Sequence, residues 1–319
     1  MKSVTFIIVS SLLFFSCGDK KDKKDNMKIS KDINRKPIEL KNQKEKLSYI
    51  LGAINAQTLS NSGEESFKQL DKELLIKGFN ENLNGNPTEE CLQTLQKLFG
   101  ATYQDFNKQY VKEGSLCMGR MTGYAFYFDI KKLGGLNDID LQFVKRGFED
   151  GIYKRDTLRF KEKEIREETQ NFIVKLNEKN GEKMLTKAKK IKGAKIFENG
   201  IIMETLRSGK GTQPSATDDV KVHYILTSAL GDTVQNSYTM KNEAGIIEAV
   251  PLQLSGGVIP GWSYVLPKMK KGGLYRVYIP WNLAYGEQQG RESLCFIIEL
   301  IDHAKTGSFV KPAMNPNGQ

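Results

Sequence analysis

The sequence predicts an α+β fold in which a helical N-terminal region precedes a small β-rich C-terminal domain. In residues 46–155, apolar side chains recur near helical spacing. Residues 156–193 are highly charged with a sparse apolar stripe, which predicts a long linker helix, exposed or paired in a dimer. In residues 194–304, short β-patterned runs separated by glycine and proline predict a small sheet around an apolar cleft. The 319 residues leave room for about two such domains.

The N-terminal residues predict export and lipid anchoring. Lys2 gives a positive start, and residues 4–15 form an apolar core that is too short for a stable membrane span. A small residue directly before Cys17 resembles a bacterial lipoprotein signal, which implies cleavage before Cys17 and its lipidation. An ordinary signal peptide, 1–17, with an incidental cysteine is the alternative. We expect a lipid-anchored protein of the bacterial cell envelope, facing the periplasm or the cell surface.

Polar segments are predicted at both ends of the mature chain. Residues 18–45 are charged and almost free of aromatics, which is typical of a disordered tether. Residues 305–319 are predicted to be a disordered tail. The tether would hold the folded body away from the membrane.

The charge of +10 favours no particular partner. Its lysines lie in short runs mixed with acids, whereas a nucleic-acid surface would gather basic residues on one face with stacking aromatics. We therefore expect no nucleic-acid partner. The only histidines are His223 and His303, and the chain has no CxxC motif, so we expect no metal site.

The three remaining cysteines leave one question open. Export permits disulfides, and Cys91 could pair with Cys117, but the sequence does not give their distance. Cys295 falls within the last strand pattern, where a small buried side chain is the simplest interpretation.

Two segments of the helical region look alike. In each, an aspartate precedes a Gly-Phe pair by the same interval, and the aspartate fits a helix N-cap. They are Asp71 with Gly78-Phe79, and Asp140 with Gly147-Phe148. A duplicated helical unit is one interpretation, and a chance likeness of amphipathic helices is the other.

The C-terminal region carries an ordered series of aromatic and glycine motifs. They are Val220–Tyr224, Val258–Trp262, Lys271–Pro280, Leu283–Gly286 and Leu294–Ile301. Their order and spacing resemble the FKBP-type peptidyl-prolyl cis–trans isomerases. The resemblance implies a curved antiparallel sheet wrapped on a short helix, and an isomerase that needs no cofactor. The layout as a whole resembles exported members of the macrophage infectivity potentiator kind, which implies a helical dimerisation module and a homodimer.

The resemblance assigns roles to individual residues. It places Trp262 at the pocket floor, Tyr224 on a wall, Phe296 opposite the floor, and the Tyr285 hydroxyl toward substrate. These four residues are the catalytic candidates: Tyr224, Trp262, Tyr285 and Phe296. The substrate-binding candidates are Val234, Gln235, Val250, Val258 and Ile259, with the Ile259 backbone N–H as a hydrogen-bond donor to substrate.

Three departures from the family pattern qualify this assignment. The family's Phe-Asp pair falls on Val234-Gln235, or on Gln235-Asn236 if shifted by one residue. The aromatic that normally precedes the Val-Ile-Pro-Gly-Trp block falls near Val250 or Leu252. The loop 287–293 is shorter than usual. We therefore expect the fold and pocket to be retained with lower or altered activity.

The chemistry that such a pocket supports is rotation of an X–Pro amide. The uncatalysed barrier is roughly 18–20 kcal/mol, and a dry apolar cleft binds the twisted amide better than the planar one. The predicted function is isomerisation during the folding of exported proteins, with unfolded or proline-containing polypeptides as partners. A chaperone or binding module with a weakened pocket is the alternative. A surface adhesin or scaffold is a third interpretation that no residue pattern selects.

Overall fold

A computed structural model describes residues 38–61, 64–86, 89–100, 106–153, 160–242 and 244–310. The predicted export signal with Cys17, and residues 18–37 of the predicted tether, lie outside the described residues. The chain divides into two compact units, one ending at Asn171 and the other beginning at Phe172.

The first unit is helical. Its helices are α1 (Gln43–Asn61), α2 (Glu64–Lys68), α3 (Lys72–Glu81), α4 (Glu89–Phe99), α5 (Val111–Lys132), α6 (Leu141–Ile152) and the first part of α7 (Glu162–Ala188). The predicted N-caps are confirmed, because Asp71 accepts the N–H of Leu74 and Asp140 accepts the N–H of Gln142. The largest contacts in this unit are those of α1 with α6 and of α3 with α5.

A disulfide joins Cys91 in α4 to Cys117 in α5, with their Cα atoms 5.0 Å apart. Both cysteines are buried. The bond therefore ties α4 to the face of α5, and it answers the question that the sequence left open. Cys295 is a free, buried cysteine in the C-terminal sheet, as predicted, and burial raises the pKa of its thiol.

We expect the double change Cys91→Ser and Cys117→Ser to lower the free energy of unfolding of the helical unit by about 3–4 kcal/mol. The reason is that the bond closes a loop of 26 residues, and loop closure restricts the unfolded chain. Urea unfolding followed by circular dichroism measures the change. A reducing agent should shift the native chain in the same direction and leave the double variant unmoved; an equal shift in both would contradict the prediction.

The second unit contains an antiparallel sheet and one short helix. Its elements are β1 (Lys195–Ile196), β2 (Ile202–Arg207), β3 (Asp219–Thr227), β4 (Thr233–Asn236), β5 (Val250–Gln253), α8 (Pro260–Val265), β6 (Leu274–Ile279) and β7 (Leu294–Ala304). The strand order is β1-β2-β6-β7-β3-β4, and β5 also pairs with β3. Every pairing is antiparallel, so the predicted fold class is confirmed.

The core of this unit lies between one face of the sheet and α8. Side chains alternate between the two faces of a strand, and most inward-facing residues of β3, β6 and β7 are buried hydrophobic side chains. These are Val220, Val222 and Leu226 in β3, Tyr275, Val277 and Ile279 in β6, and Leu294, Phe296, Ile298 and Leu300 in β7. Trp262 and Val265 of α8 pack against them. The helix thus brings Trp262 under the inward-facing side chains of β3 and β7.

The long linker helix is shorter than its predicted range of 156–193. It begins at Glu162, after the non-helical residues Phe160 and Lys161. It ends at Ala188, because the chain then turns and reaches Gly193, whose φ of +83° favours glycine. It also runs without a break through Asn180-Gly181, a dipeptide that commonly marks a turn. Gly181 lies against Ser293, so this glycine allows the helix to pack closely on the residue that precedes β7.

The predicted tail begins later than residue 305. The carboxylate of buried Asp219 accepts the backbone N–H groups of Phe309 and Val310, each at 2.9 Å. These hydrogen bonds, that of Val310 above all, lower the pKa of Asp219. Residues 305–310 are therefore held at the start of β3, a role that nothing in the tail's composition indicated. Residues 311–319 lie outside the described part of the chain.

The described residues contain neither a candidate membrane span nor a candidate metal-binding cluster. No helix there has both the length and the apolar content needed to cross a membrane. Nor does any group of three or more His, Cys, Asp or Glu side chains stand close enough together there to bind a metal ion.

Candidate active site

A cavity of about 370 Å³ opens between the sheet, α8 and the loop that follows β5. Its lining residues are Tyr224, Gln235, Leu252, Gly256, Gly257, Val258, Ile259, Trp262, Tyr285 and Phe296. None of these side chains is acidic, basic or a thiol. The cavity can therefore bind an apolar group, but its lining offers no nucleophile and no strong acid or base.

Three aromatic rings form the floor and two walls. Trp262 meets Tyr224 edge to face, with ring centroids 5.3 Å apart, and meets Phe296 in the same manner at 5.1 Å. Trp262 and Phe296 are only 4% and 2% exposed. Edge-to-face contacts hold rings at a fixed angle, so the floor is rigid before any ligand binds.

The start of α8 sets the rim of the cavity. Pro260 occupies the first turn of the helix, where its fixed φ is suitable and its missing N–H costs nothing. The Ile259 carbonyl accepts the N–H of Trp262 at 2.9 Å. The N–H of Ile259 has no hydrogen bond within the described part of the chain, so it can donate to a bound carbonyl group at the rim.

Two tyrosines place hydroxyl groups at the cavity. Burial raises the pKa of Tyr224, and the neighbouring Tyr285 adds to the effect. Tyr224 is therefore protonated at neutral pH and can donate a hydrogen bond. Tyr285 is 42% exposed, which places it at the open side, where substrate would enter.

The structure separates the two residues of the Val234-Gln235 pair. Gln235 lies opposite Leu226 in the β3–β4 pairing and shares its inward face, so it lines the cavity. Val234, its neighbour, points the other way and is 61% exposed. The expectation that Val234 forms a wall is corrected by this alternation. The side-chain amide of Gln235 donates to the sulfur of Met240 at 3.5 Å. This neutral amide stands where the family pattern has an acid.

Val250 does not line the cavity. Leu252, two residues further along β5 and nearer the loop that leads to α8, lines it instead. The sequence had left both positions open for this wall. Gly256 and Gly257 also line the cavity and were not predicted; the adjacent Gly-Gly before the Val-Ile-Pro-Gly-Trp block was the available signal. The remaining predicted residues, Val258 and Ile259, lie at the rim.

The short loop after Tyr285 is fixed by the second part of α7. Asn177 donates to the carbonyl of Gly290 at 2.9 Å, and Arg291 pairs with Glu178 at 2.9 Å. Arg291 also has a positive φ of 56°, which is rare for a residue with a side chain. The loop is thus held close to the helix, and its side chains do not line the cavity.

The sequence of this chain is similar to proteins of one known family. Residues 210–301 match the family model of the FKBP-type peptidyl-prolyl cis-trans isomerase. Residues 44–116 match the model of the domain amino terminal to such isomerases. The peptidyl-prolyl cis-trans isomerase Mip of Coxiella burnetii is 33% identical over 60% of this chain and 86% of its own length.

The chain belongs to the FKBP-type peptidyl-prolyl isomerase family. The isomerase FkpA of Escherichia coli K12 is 36% identical over 43% of this chain and 47% of its own length. The crystal structure of E. coli FkpA covers 61% of this chain and 96% of the solved chain, with 27% identity and a TM-score of 0.40. The cavity lies within the part of the chain that matches the isomerase model.

Proposed function

We propose that this chain isomerises X–Pro bonds of incompletely folded, exported polypeptides in the cavity above Trp262. The observation that carries the proposal is a cavity with a rigid aromatic floor and no charged lining, in a chain of an isomerase family. The alternative of a chaperone with an inactive pocket is not favoured, because the curated relatives are named as isomerases.

The mechanism follows from what the cavity binds best. The planar amide is stabilised by resonance and by water, whereas the twisted amide has lost resonance and suits a dry apolar site. The proline ring would rest on Trp262, and the N–H of Ile259 would hold a carbonyl of the substrate. Because the twisted form gains more from this site than the planar form, the barrier to rotation falls.

The neutral Gln235 supports an activity that differs from the family's usual level. An amide side chain interacts more weakly with a polarised substrate group than a carboxylate does. The short loop 287–293 also contributes no lining side chain. We therefore predict lower or altered turnover, and a measurement of kcat/KM for an X–Pro peptide tests this.

Location and assembly are proposals of a different kind. The export signal and Cys17 support a lipid-anchored envelope protein that faces the periplasm or the cell surface, with clients that are themselves exported. Metabolic labelling with a radioactive fatty acid, compared between the native chain and Cys17→Ser, tests the anchor. The resemblance predicts a homodimer, but the pairing of helices within the described chain favours a monomer.

A proline-isomerisation assay tests the proposed function. The chain from Gly18 onward, without the export signal, should accelerate cis-to-trans conversion of an X–Pro peptide, a change that takes tens to hundreds of seconds unaided. Tyr285→Phe should lower kcat/KM by roughly two- to tenfold, because one neutral hydrogen bond contributes about 0.5–1.5 kcal/mol.

A matched control separates the hydroxyl of Tyr285 from a general effect of tyrosine removal. Tyr264 lies on α8, but its ring packs on Phe197 at a centroid distance of 5.3 Å and does not line the cavity. Tyr264→Phe should leave kcat/KM unchanged. Absence of acceleration at micromolar enzyme would refute the proposal and favour the chaperone alternative.

A further inference from the structure

The helical unit contains two structural repeats. Repeat 1 consists of α1 and α3, and repeat 2 consists of α5 and α6. Equivalent positions can be read from their contacts: Ser48 with Ser115, Gly52 with Gly119, Asp71 with Asp140, Gly78 with Gly147, and Phe79 with Phe148. The first two pairs are 67 residues apart and the last three are 69 apart. The duplicated unit suggested by sequence therefore has a consistent structural counterpart, with Gly52 equivalent to Gly119.

Each repeat packs on the other repeat and hardly on itself. The first helix of repeat 1, α1, lies along the second helix of repeat 2, α6. The first helix of repeat 2, α5, lies along the second helix of repeat 1, α3. Within the described residues, the two helices of one repeat make little contact with each other. We call α1 with α6, and α3 with α5, the exchanged pairs.

The two exchanged pairs repeat one another in atomic detail. In the first, the backbone N–H of Asp140 donates to Ser48 Oγ at 2.8 Å. In the second, the N–H of Asp71 donates to Ser115 Oγ at 2.9 Å. Each aspartate caps the helix that follows it. Equivalent serines thus accept the N–H of equivalent N-cap aspartates in the two exchanged pairs.

Glycines set the distance between the helices in the same manner. A Cβ atom on Gly52 would clash with the backbone of Val144 and lie 2.8 Å from the nitrogen of Phe148. A Cβ atom on Gly119 would clash with the backbone of Leu75 and lie 2.8 Å from the nitrogen of Phe79. Gly147 faces Tyr49, and Gly78 faces Leu116, with equally little space. Both exchanged pairs are therefore close backbone contacts that only glycine permits.

Equivalent residues meet at the centre of the unit. The rings of Phe79 and Phe148 stack with centroids 3.6 Å apart and an angle of 3° between their planes. Both side chains are fully buried. A residue that touches its own equivalent lies on a twofold axis, which is the signature of an isologous interface.

We infer that the helical unit is a dimerisation interface closed within one chain, and that this protein is a monomer. Two identical chains with one repeat each would form the same contacts between molecules. Here the segment between α3 and α5, which includes helix α4, joins the repeats covalently, so each exchanged pair already has its partner. The central phenylalanines and the four helix-facing glycines are already packed in intrachain contacts. This interface therefore has no surface left for a second copy of the chain.

The tandem arrangement also changes the number of active sites on each helical unit. A homodimer carries two isomerase domains on one helical unit, whereas this chain carries one. Binding of a client with several prolines would then gain nothing from a second linked pocket. The inference is independent of catalysis, because it rests on contacts within residues 43–152 alone.

Sedimentation velocity on the chain from Gly18 onward tests the inference. From nanomolar to about 100 micromolar, we expect the mass of a single chain. The thermal midpoint of the helical unit should not change with concentration, because no association accompanies folding. In a mixture of donor- and acceptor-labelled chains, incubated for days, no energy transfer should develop.

Two results would overturn the inference. A two-chain mass with energy transfer between labelled chains, and a midpoint that rises with concentration, would show that the exchanged pairs form between molecules. A two-chain mass with a concentration-independent midpoint would show a second interface elsewhere, and the protein would again not be a monomer. Phe128→Ser is the control for association through exposed apolar surface, because Phe128 on α5 is 43% exposed. This variant should have the same single-chain mass as the native chain.

Discussion

Gly52→Leu is expected to unfold the helical unit or to lower its free energy of unfolding by roughly 3 kcal/mol or more. A side chain at this position meets backbone atoms of α6, not a movable side chain. No rotamer can relieve such a clash, so α1 must move away from α6. Even Gly52→Ala should destabilise, although alanine is favoured over glycine inside a helix by about 1 kcal/mol.

Urea unfolding followed by circular dichroism measures this effect. Gln57→Leu is the matched control, because it adds the same side chain to an exposed position of the same helix. Gly147→Leu, on the facing helix, should behave like Gly52→Leu. If Gly52→Leu and Gln57→Leu had the same unfolding midpoint, the close approach of α1 and α6 would be refuted.

Trp262→Ala is expected to reduce kcat/KM for an X–Pro peptide by roughly tenfold to a hundredfold. The substitution removes the surface on which the proline ring would rest, and burial of an apolar side chain contributes roughly 1.5–3 kcal/mol; each 1.36 kcal/mol of lost transition-state binding is tenfold in rate. It should also lower the stability of the isomerase unit by about 3–5 kcal/mol, because a large buried side chain leaves a void.

Two further variants separate these effects. Trp262→Phe keeps a ring at the floor and should lose less activity than Trp262→Ala at equal folded fraction. Val265→Ala removes a fully buried side chain from the same helix without altering the cavity lining. It should therefore lower stability while leaving kcat/KM unchanged. An equal loss of kcat/KM in Val265→Ala and Trp262→Ala would show that destabilisation alone explains the effect.

Local signals in the sequence were enough for several features. The Asp71 and Asp140 caps depend on residues next to them in the chain. The ordered aromatic motifs carried the fold class and placed Tyr224, Trp262, Tyr285 and Phe296 around one cavity. In each case the informative residues lie within one element or one short block, where spacing limits the possible structure.

Features that depend on strand register or helix partner were not predictable. A slip of one residue moves a strand's side chains to the other face, and the assignment of Val234 to a wall was such a case. The likeness of the two Gly-Phe segments was visible, but nothing in one chain segment specifies its distant partner. The pairing of α1 with α6, and the hold of Asp219 on the tail, are contacts between residues about 90 apart.

The contacts of Asn177 and Glu178 with the loop after Tyr285 limit where a fragment that contains the active site can begin. A fragment that starts at residue 194, where the β-pattern begins, would lose the hydrogen bonds of Asn177 with Gly290 and of Glu178 with Arg291. It would also lose the packing of Gly181 on Ser293. The smallest self-sufficient catalytic fragment therefore starts inside α7, near Phe172. In this protein the border between domains falls in the middle of a helix, so half of the linker is a structural part of the enzyme.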